Sequence, residues 1–161
     1  MTHEERIQIL DNGVIRMNTY LSYGSSYDDR LYDYGRDIKK YAIDILKEIG
    51  APQYSIKSVQ YVSFDACRRD MLGGHMAGEY EMLCANKCNA YKQSVNSIKS
   101  ILNQERTRLI KEQSDAEQKK GYEAQIANNK LQKESILWAK IAAFASIVSI
   151  ILSIILYLCS N

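Results

Sequence analysis

The stretch SILWAKIAAFASIVSIILSIILYLCSN, Ser135–Asn161, decides how the rest of the chain is read. From Ile141 to Leu158 it has no charged residue, and its polar side chains are Ser146, Ser149, Ser153 and Tyr157. As a helix that run rises roughly 27 Å, and starting it at Leu137 gives roughly 33 Å, close to the hydrocarbon thickness of a bilayer. A soluble core helix is usually shorter and keeps a polar face, whereas Ile, Leu, Val, Ala and Phe surround the whole circumference here. Trp138 and Tyr157 stand at the two ends, where amphipathic rings favour the interface. Lys140 lies one turn inside, within snorkelling reach of the headgroups. The expectation is a transmembrane helix over 137–158 followed by a short tail, 159–161.

The flanks set an orientation. Lys130, Lys133 and Lys140 precede the span, and Cys159, Ser160 and Asn161 follow it without side-chain charge. The positive-inside bias therefore places the N-terminal portion in the cytoplasm. Met1 is followed by the charged, amphipathic THEERIQILDN, not by the apolar run of a signal peptide. The resulting expectation is a single-pass, tail-anchored membrane protein inserted after translation.

Of 161 residues, about 135 remain outside the span, enough for one modest domain and its connection to the membrane. The formal net charge of +2, with no basic block, gives no electrostatic case for nucleic acid. Three of the four cysteines, Cys67, Cys84 and Cys88, would face a reducing compartment, so free thiols are expected. Pro52 is the one proline, which favours long uninterrupted helices.

Thr2 and Glu5 have capping-box spacing, and Ile7, Leu10, Val14, Met17 and Leu21 recur at helical intervals after them. Gly24-Ser25-Ser26 with Asp28 and Asp29 predicts a turn. A second stripe, Leu31, Tyr34, Ile38, Tyr41 and Ile45, stops at Ile49-Gly50-Ala51-Pro52. Residues 54–72 carry Ile56, Val59 and Ala66 on one helical face; VQYVSF has strand formers, but a lone strand would find no partner, so a helix is expected. Leu72-Gly73-Gly74 breaks it. From His75 a new stripe begins, through Met76, Tyr80, Leu83, Cys84, Tyr91, Val95, Ile98 and Leu102. Beyond Leu102 a heptad projection puts Glu105, Glu112 and Lys119 at seam positions, which a strict coiled coil would not tolerate. The predicted fold is all-α: a helical bundle over 1–102, a polar stalk or weak coiled coil over 103–136, and the membrane helix.

The strongest metal candidates are Cys67, His75, Cys84 and Cys88, since Cys84 and Cys88 share a helical face and four soft ligands would close a tetrahedral zinc site. No C-x2-C pair is present, and buried packing is the commoner fate of such thiols, so no metal or other cofactor is expected. His75, Glu79 and Glu81 resemble an open metal site more weakly: H-E-x-x-H is absent, and the glutamates suit the first turn of a helix. Gly73-Gly74 lacks the spacing and the Lys-Ser/Thr of a phosphate loop. No catalytic constellation emerges, and an enzyme is not expected.

Tyr20, Tyr23, Tyr27 and Tyr32, interleaved with Asp28 and Asp29, form a dense acidic-aromatic cluster suited to a partner surface. The competing expectation is tyrosines lying over bundle edges with their hydroxyls in water. In the span, Ala139, Ala142, Ser146, Ser149 and Ser153 line one face with small-xxx-small spacing, an association surface in lipid. The order bundle, stalk and anchor is also that of SNARE proteins and the Bcl-2 group. The charged seam excludes the first, and the absence of an N-W-G-R signature excludes the second. The leading functional reading is a membrane-tethered helical binding or scaffold module, with the bilayer and a protein partner or further copies of itself as its contacts. An oligomerising, membrane-perturbing effector of holin-like or defence type is the first alternative, and a small membrane-associated metal-binding protein the second.

Overall fold

Thr2 and Glu5 build the expected capping box: the Glu5 amide donates to Thr2 Oγ1 at 3.1 Å, and the Thr2 amide donates to Glu5 Oε2 at 2.7 Å. They open α1, His3–Tyr23. The computed structural model describes residues 1–68 and 77–159, and among them there are α-helices and a short 3-10 helix but no strand. The fold is all-α. The foreseen break at Leu72-Gly73-Gly74, together with His75 and Met76, lies outside the described residues.

The second helix, α2, spans Leu31–Glu48. The Asp28 carboxylate prepares its start by accepting the Arg30 amide at 2.8 Å. Its end is a Schellman closure. Gly50 takes φ +67, the Ala51 amide reaches the Leu46 carbonyl at 2.8 Å, and the Gly50 amide reaches the Lys47 carbonyl at 3.0 Å. The stop foreseen at Ile49–Pro52 is thus satisfied by backbone alone. Close pairs between α1 and α2 descend in register, Gly13 with Ile45, Tyr20 with Tyr41 and Tyr23 with Tyr34, so the helices run antiparallel. Leu10 and Met17 of α1 and Leu31, Ile38 and Ile45 of α2 are buried, with Ile7, Val14, Leu21, Tyr34 and Tyr41 half-buried around them.

The helix expected over 54–72 is shorter. The third helix, α3, covers Gln53–Tyr61, directs Ile56 and Val59 into the core, and ends where Val62 turns extended at ψ 122. Lys39 Nζ donates to the Val62 carbonyl at 2.8 Å and Ser94 Oγ to the Ser63 carbonyl at 2.7 Å, replacing the helical bonds this segment gives up. The bend carries Phe64 back over Gly35, where a Cβ would lie 2.3 Å from ring carbons. A 3-10 helix, Asp65–Cys67, follows and leaves Ala66 exposed rather than inward.

The last helix, α4, runs Ala77–Cys159. Its inner stripe is Cys88, Tyr91, Val95, Ile98, Leu102, Glu105 and Leu109, an unbroken alternation of three and four with every member buried. The packed unit extends to Gln113. Glu105 does occupy a seam position, yet it stays 2 % exposed: Ser55 Oγ donates to Oε1, and Arg108 Nε donates to Oε2 at 2.8 Å. A charge in a seam is tolerated when its lone pairs are met, and α3 and the next turn of α4 meet them. Residues 114–161 form a second unit, whose described side chains, Ser114 to Ile155, are all exposed. Among the described residues α4 is the helix long and apolar enough, in its C-terminal part, to cross a membrane by length and composition.

Candidate functional site

Cys67, Cys84 and Cys88, the cysteines weighed above as candidate metal ligands, are free thiols. Cys67 is buried and its thiol donates to the Lys87 carbonyl at 3.7 Å; Cys88 is buried and Cys84 half-buried on α4. Burial pushes the Cys67 and Cys88 thiols above their ordinary range. No group of three His, Cys, Asp or Glu side chains among the described residues is arranged to hold a metal, and His75 lies outside them. Glu79 and Glu81 are exposed on the first turns of α4.

The tyrosine cluster divides in two. Tyr27 and Tyr32 belong with α4 and the 3-10 segment. The Tyr27 hydroxyl donates to Asp29 at 2.7 Å, and its ring stands edge-on to Tyr80 with centroids 6.4 Å apart. The Asp29 bond, and after it burial, holds that hydroxyl well above the usual tyrosine range. Tyr32 accepts a bond from Arg68 at 3.1 Å beneath the same guanidinium, which also pairs with Asp65 at 3.3 Å. Asp28 is engaged by Arg30 through Nη2 at 2.9 Å, and these bonds hold its carboxyl below the ordinary range.

Tyr20 and Tyr23 instead join a ladder across α1 and α2. Arg16 lies 4.5 Å from the Tyr41 ring centroid, Tyr41 is 6.4 Å from Tyr20, and Tyr20 is 5.7 Å from Tyr23. Tyr23 is 5.1 Å from Tyr34, whose ring is covered by Arg30 at 5.3 Å. The rings meet edge-on or tilted, as their quadrupoles prefer, and a cation closes each end. Buried Tyr91 sets the height of the ladder on α1 by donating from its hydroxyl to the Tyr20 carbonyl at 3.1 Å. The Tyr41 hydroxyl first, then Tyr20, raise the Arg16 pKa, so its charge is permanent at any working pH.

The sequence reading singled out Tyr20 and Tyr23 but missed Arg16 and Arg30, and it assigned Tyr34 and Tyr41 to the core alone. A signal was present: Arg16, Tyr20 and Tyr23 follow i, i+4, i+7, and Arg30, Tyr34 and Tyr41 follow i, i+4, i+11, each one face of a helix. What a single helix does not reveal is that two such faces adjoin.

In the C-terminal unit, Leu137, Trp138, Lys140 and Ile141 are exposed, as are Ala139, Ala142, Ser146, Ser149 and Ser153. The side chains of Tyr157 and Leu158 lie outside the described residues. Ser146 Oγ donates to the Ala142 carbonyl and Ser153 Oγ to the Ser149 carbonyl, both at 2.9 Å, so these hydroxyls are satisfied within their own helix. Comparison with family models, with curated proteins and with solved structures gave no match for this chain.

Proposed function

We propose that the chain is a membrane-tethered binding or scaffold module, in which a helical bundle over the packed unit is joined by a polar stalk to a single membrane helix. One observation carries this reading. The core of 1–113 closes on its own apolar stripes, while Leu137–Ile155 presents Ile, Leu, Val and Phe on every side with no side chain buried. In water that surface would drive aggregation; in hydrocarbon it costs nothing and satisfies every backbone bond. Lys130, Lys133 and Lys140 favour a cytoplasmic packed unit.

The alternative effector reading needs several copies, because one uncharged helix cannot line a pore. The small-residue face would have to supply the attraction by packing, since the Ser146 and Ser153 hydroxyls already bond their own backbone. The test is flotation with phosphatidylcholine vesicles and alkaline extraction of the full chain, beside a chain lacking Ile141–Asn161. The full chain should float and resist extraction, while the truncated one stays soluble and helical by circular dichroism. A full chain released by alkali, or a truncated one that does not fold, overturns the division into module and tether.

A further inference from the structure

The geometry points to the α1–α2 ladder as the docking surface of a partner protein segment that presents a carboxylate to Arg16. This rests on reading the packed unit as a binding module and names the chemistry of what it binds. Among the described residues, Arg30, Arg36, Arg68, Arg106 and Arg108 each pair with a carboxylate of their own chain. Arg16 pairs with none; its guanidinium is held over the Tyr41 ring at 4.5 Å and lies 5.8 Å from the Tyr20 centroid. Arg6 also has no carboxylate, but its Nε is buried.

A guanidinium fixed over two rings has already lost much of its rotamer freedom, and its planar fork matches a carboxylate in two parallel bonds. The adjoining tyrosines add flat contact area at low entropic cost, and Tyr with Arg is the composition of interface hot spots. Ladder and cation together present flat aromatic rings beside a positioned positive charge.

The occupant is a protein segment rather than a polyanion. Asp37 and Asp44 are exposed on α2 and, by helical spacing, flank the solvent side of the Tyr34–Tyr41 stripe. A nucleic acid or an anionic bilayer would bring a sheet of negative charge against them, while Arg16 and the exposed Lys40 between them only balance these two carboxylates. A peptide can place one Asp or Glu at Arg16, an apolar residue on the rings, and a basic or neutral residue beside Asp37.

The experiment selects a displayed library of random dodecapeptides on the full chain in phosphatidylcholine nanodiscs. Enriched peptides should carry Asp or Glu next to an aromatic or aliphatic residue. They should bind Arg16→Gln about tenfold more weakly, and Arg36→Gln, whose arginine pairs with Asp33, unchanged. Melting temperature checks the fold of each variant. Should Arg16→Gln lower it, Arg16→Lys carries the test, since it keeps the charge but loses the planar fork and should also weaken binding. Enriched peptides that lack acid, or that bind Arg16→Gln as tightly as the parent, overturn this assignment and leave a binding module with its surface elsewhere. No enrichment of any peptide overturns both readings.

Discussion

Gly35 offers a direct test of how the loop after α3 is held. It lies inside α2, where alanine is favoured over glycine by about 1 kcal/mol, so helix propensity alone predicts that Gly35→Ala stabilises the protein. The structure predicts the opposite. An alanine Cβ would stand 2.3 Å from both Cγ and Cδ1 of Phe64 and 2.9 Å from its Cβ. Ordinary carbon contacts begin near 3.5 Å, so ring and backbone must separate by about 1 Å. Phe64 is 5 % exposed and packs against Tyr91 with centroids 5.8 Å apart, and its backbone precedes the 3-10 helix that buries Cys67. Expelling the ring entirely would cost about 3–5 kcal/mol, the value of a lost core phenylalanine, and partial yielding costs less. After the propensity gain, Gly35→Ala should destabilise by about 1–3 kcal/mol. Urea unfolding followed through the near-ultraviolet tyrosine signal measures the packed unit rather than the exposed helix. In a double-mutant cycle with Phe64→Ala the alanine at 35 should cease to cost anything, because the clash has no second partner. A Gly35→Ala variant as stable as the parent, or costs that add in the double mutant, would refute the close approach of Phe64 to α2.

Ile38 is fully buried between the helices, so Ile38→Asp should cost more than about 4 kcal/mol by placing an unpaired carboxylate in the core, as a melt by circular dichroism would register. Glu105→Ala should cost about 2–4 kcal/mol in the same urea assay, since it strands the buried Ser55 hydroxyl and one face of Arg108. Glu105→Leu combined with Ser55→Ala should recover most of that loss by continuing the apolar seam. Tyr27 and Tyr91 both have raised hydroxyl pKa values, the first through Asp29 and the second through burial. Their neutral forms therefore favour the fold fully below about pH 10, where unfolded tyrosine titrates, and that contribution falls as pH rises further. Stability measured from pH 8 to 11 should decline at the alkaline end, and less steeply in Tyr91→Phe.

The elements of the first fifty residues were legible because each is specified locally. Thr2 and Glu5 cap α1 with side chains three residues apart, and Gly50 ends α2 through its own backbone angle. The apolar stripes of both helices then repeat at intervals that only a helix turns to one side. The segment after Tyr61 was not legible, since what ends α3 is distant: a lysine of α2, a serine of α4 and a glycine of α2 that admits the Phe64 ring. Glu105 misled for the same reason. Its charge marks the end of a seam only if nothing satisfies it, and the hydroxyl that does so lies fifty positions earlier, on α3.

The candidate site divides along the same line. Tyrosine density announced that something lay between Tyr20 and Tyr41, but composition does not distinguish an acidic surface from a cationic one. The aspartates nearest in sequence, Asp28 and Asp29, are already engaged, one by Arg30 and the other by the Tyr27 hydroxyl. One exposed charge with no ion pair among the described residues is Arg16, which reads in sequence as an ordinary solvated position of α1. In the proposed docking it acquires a role only because antiparallel pairing brings Tyr41 beneath it. Periodicity along one helix reports which side faces inward; it carries no information on which residue of a second helix sits beside that face. The property that would recognise a partner belongs to the pairing of α1 with α2, and a substitution on either helix can remove it while leaving both helices intact.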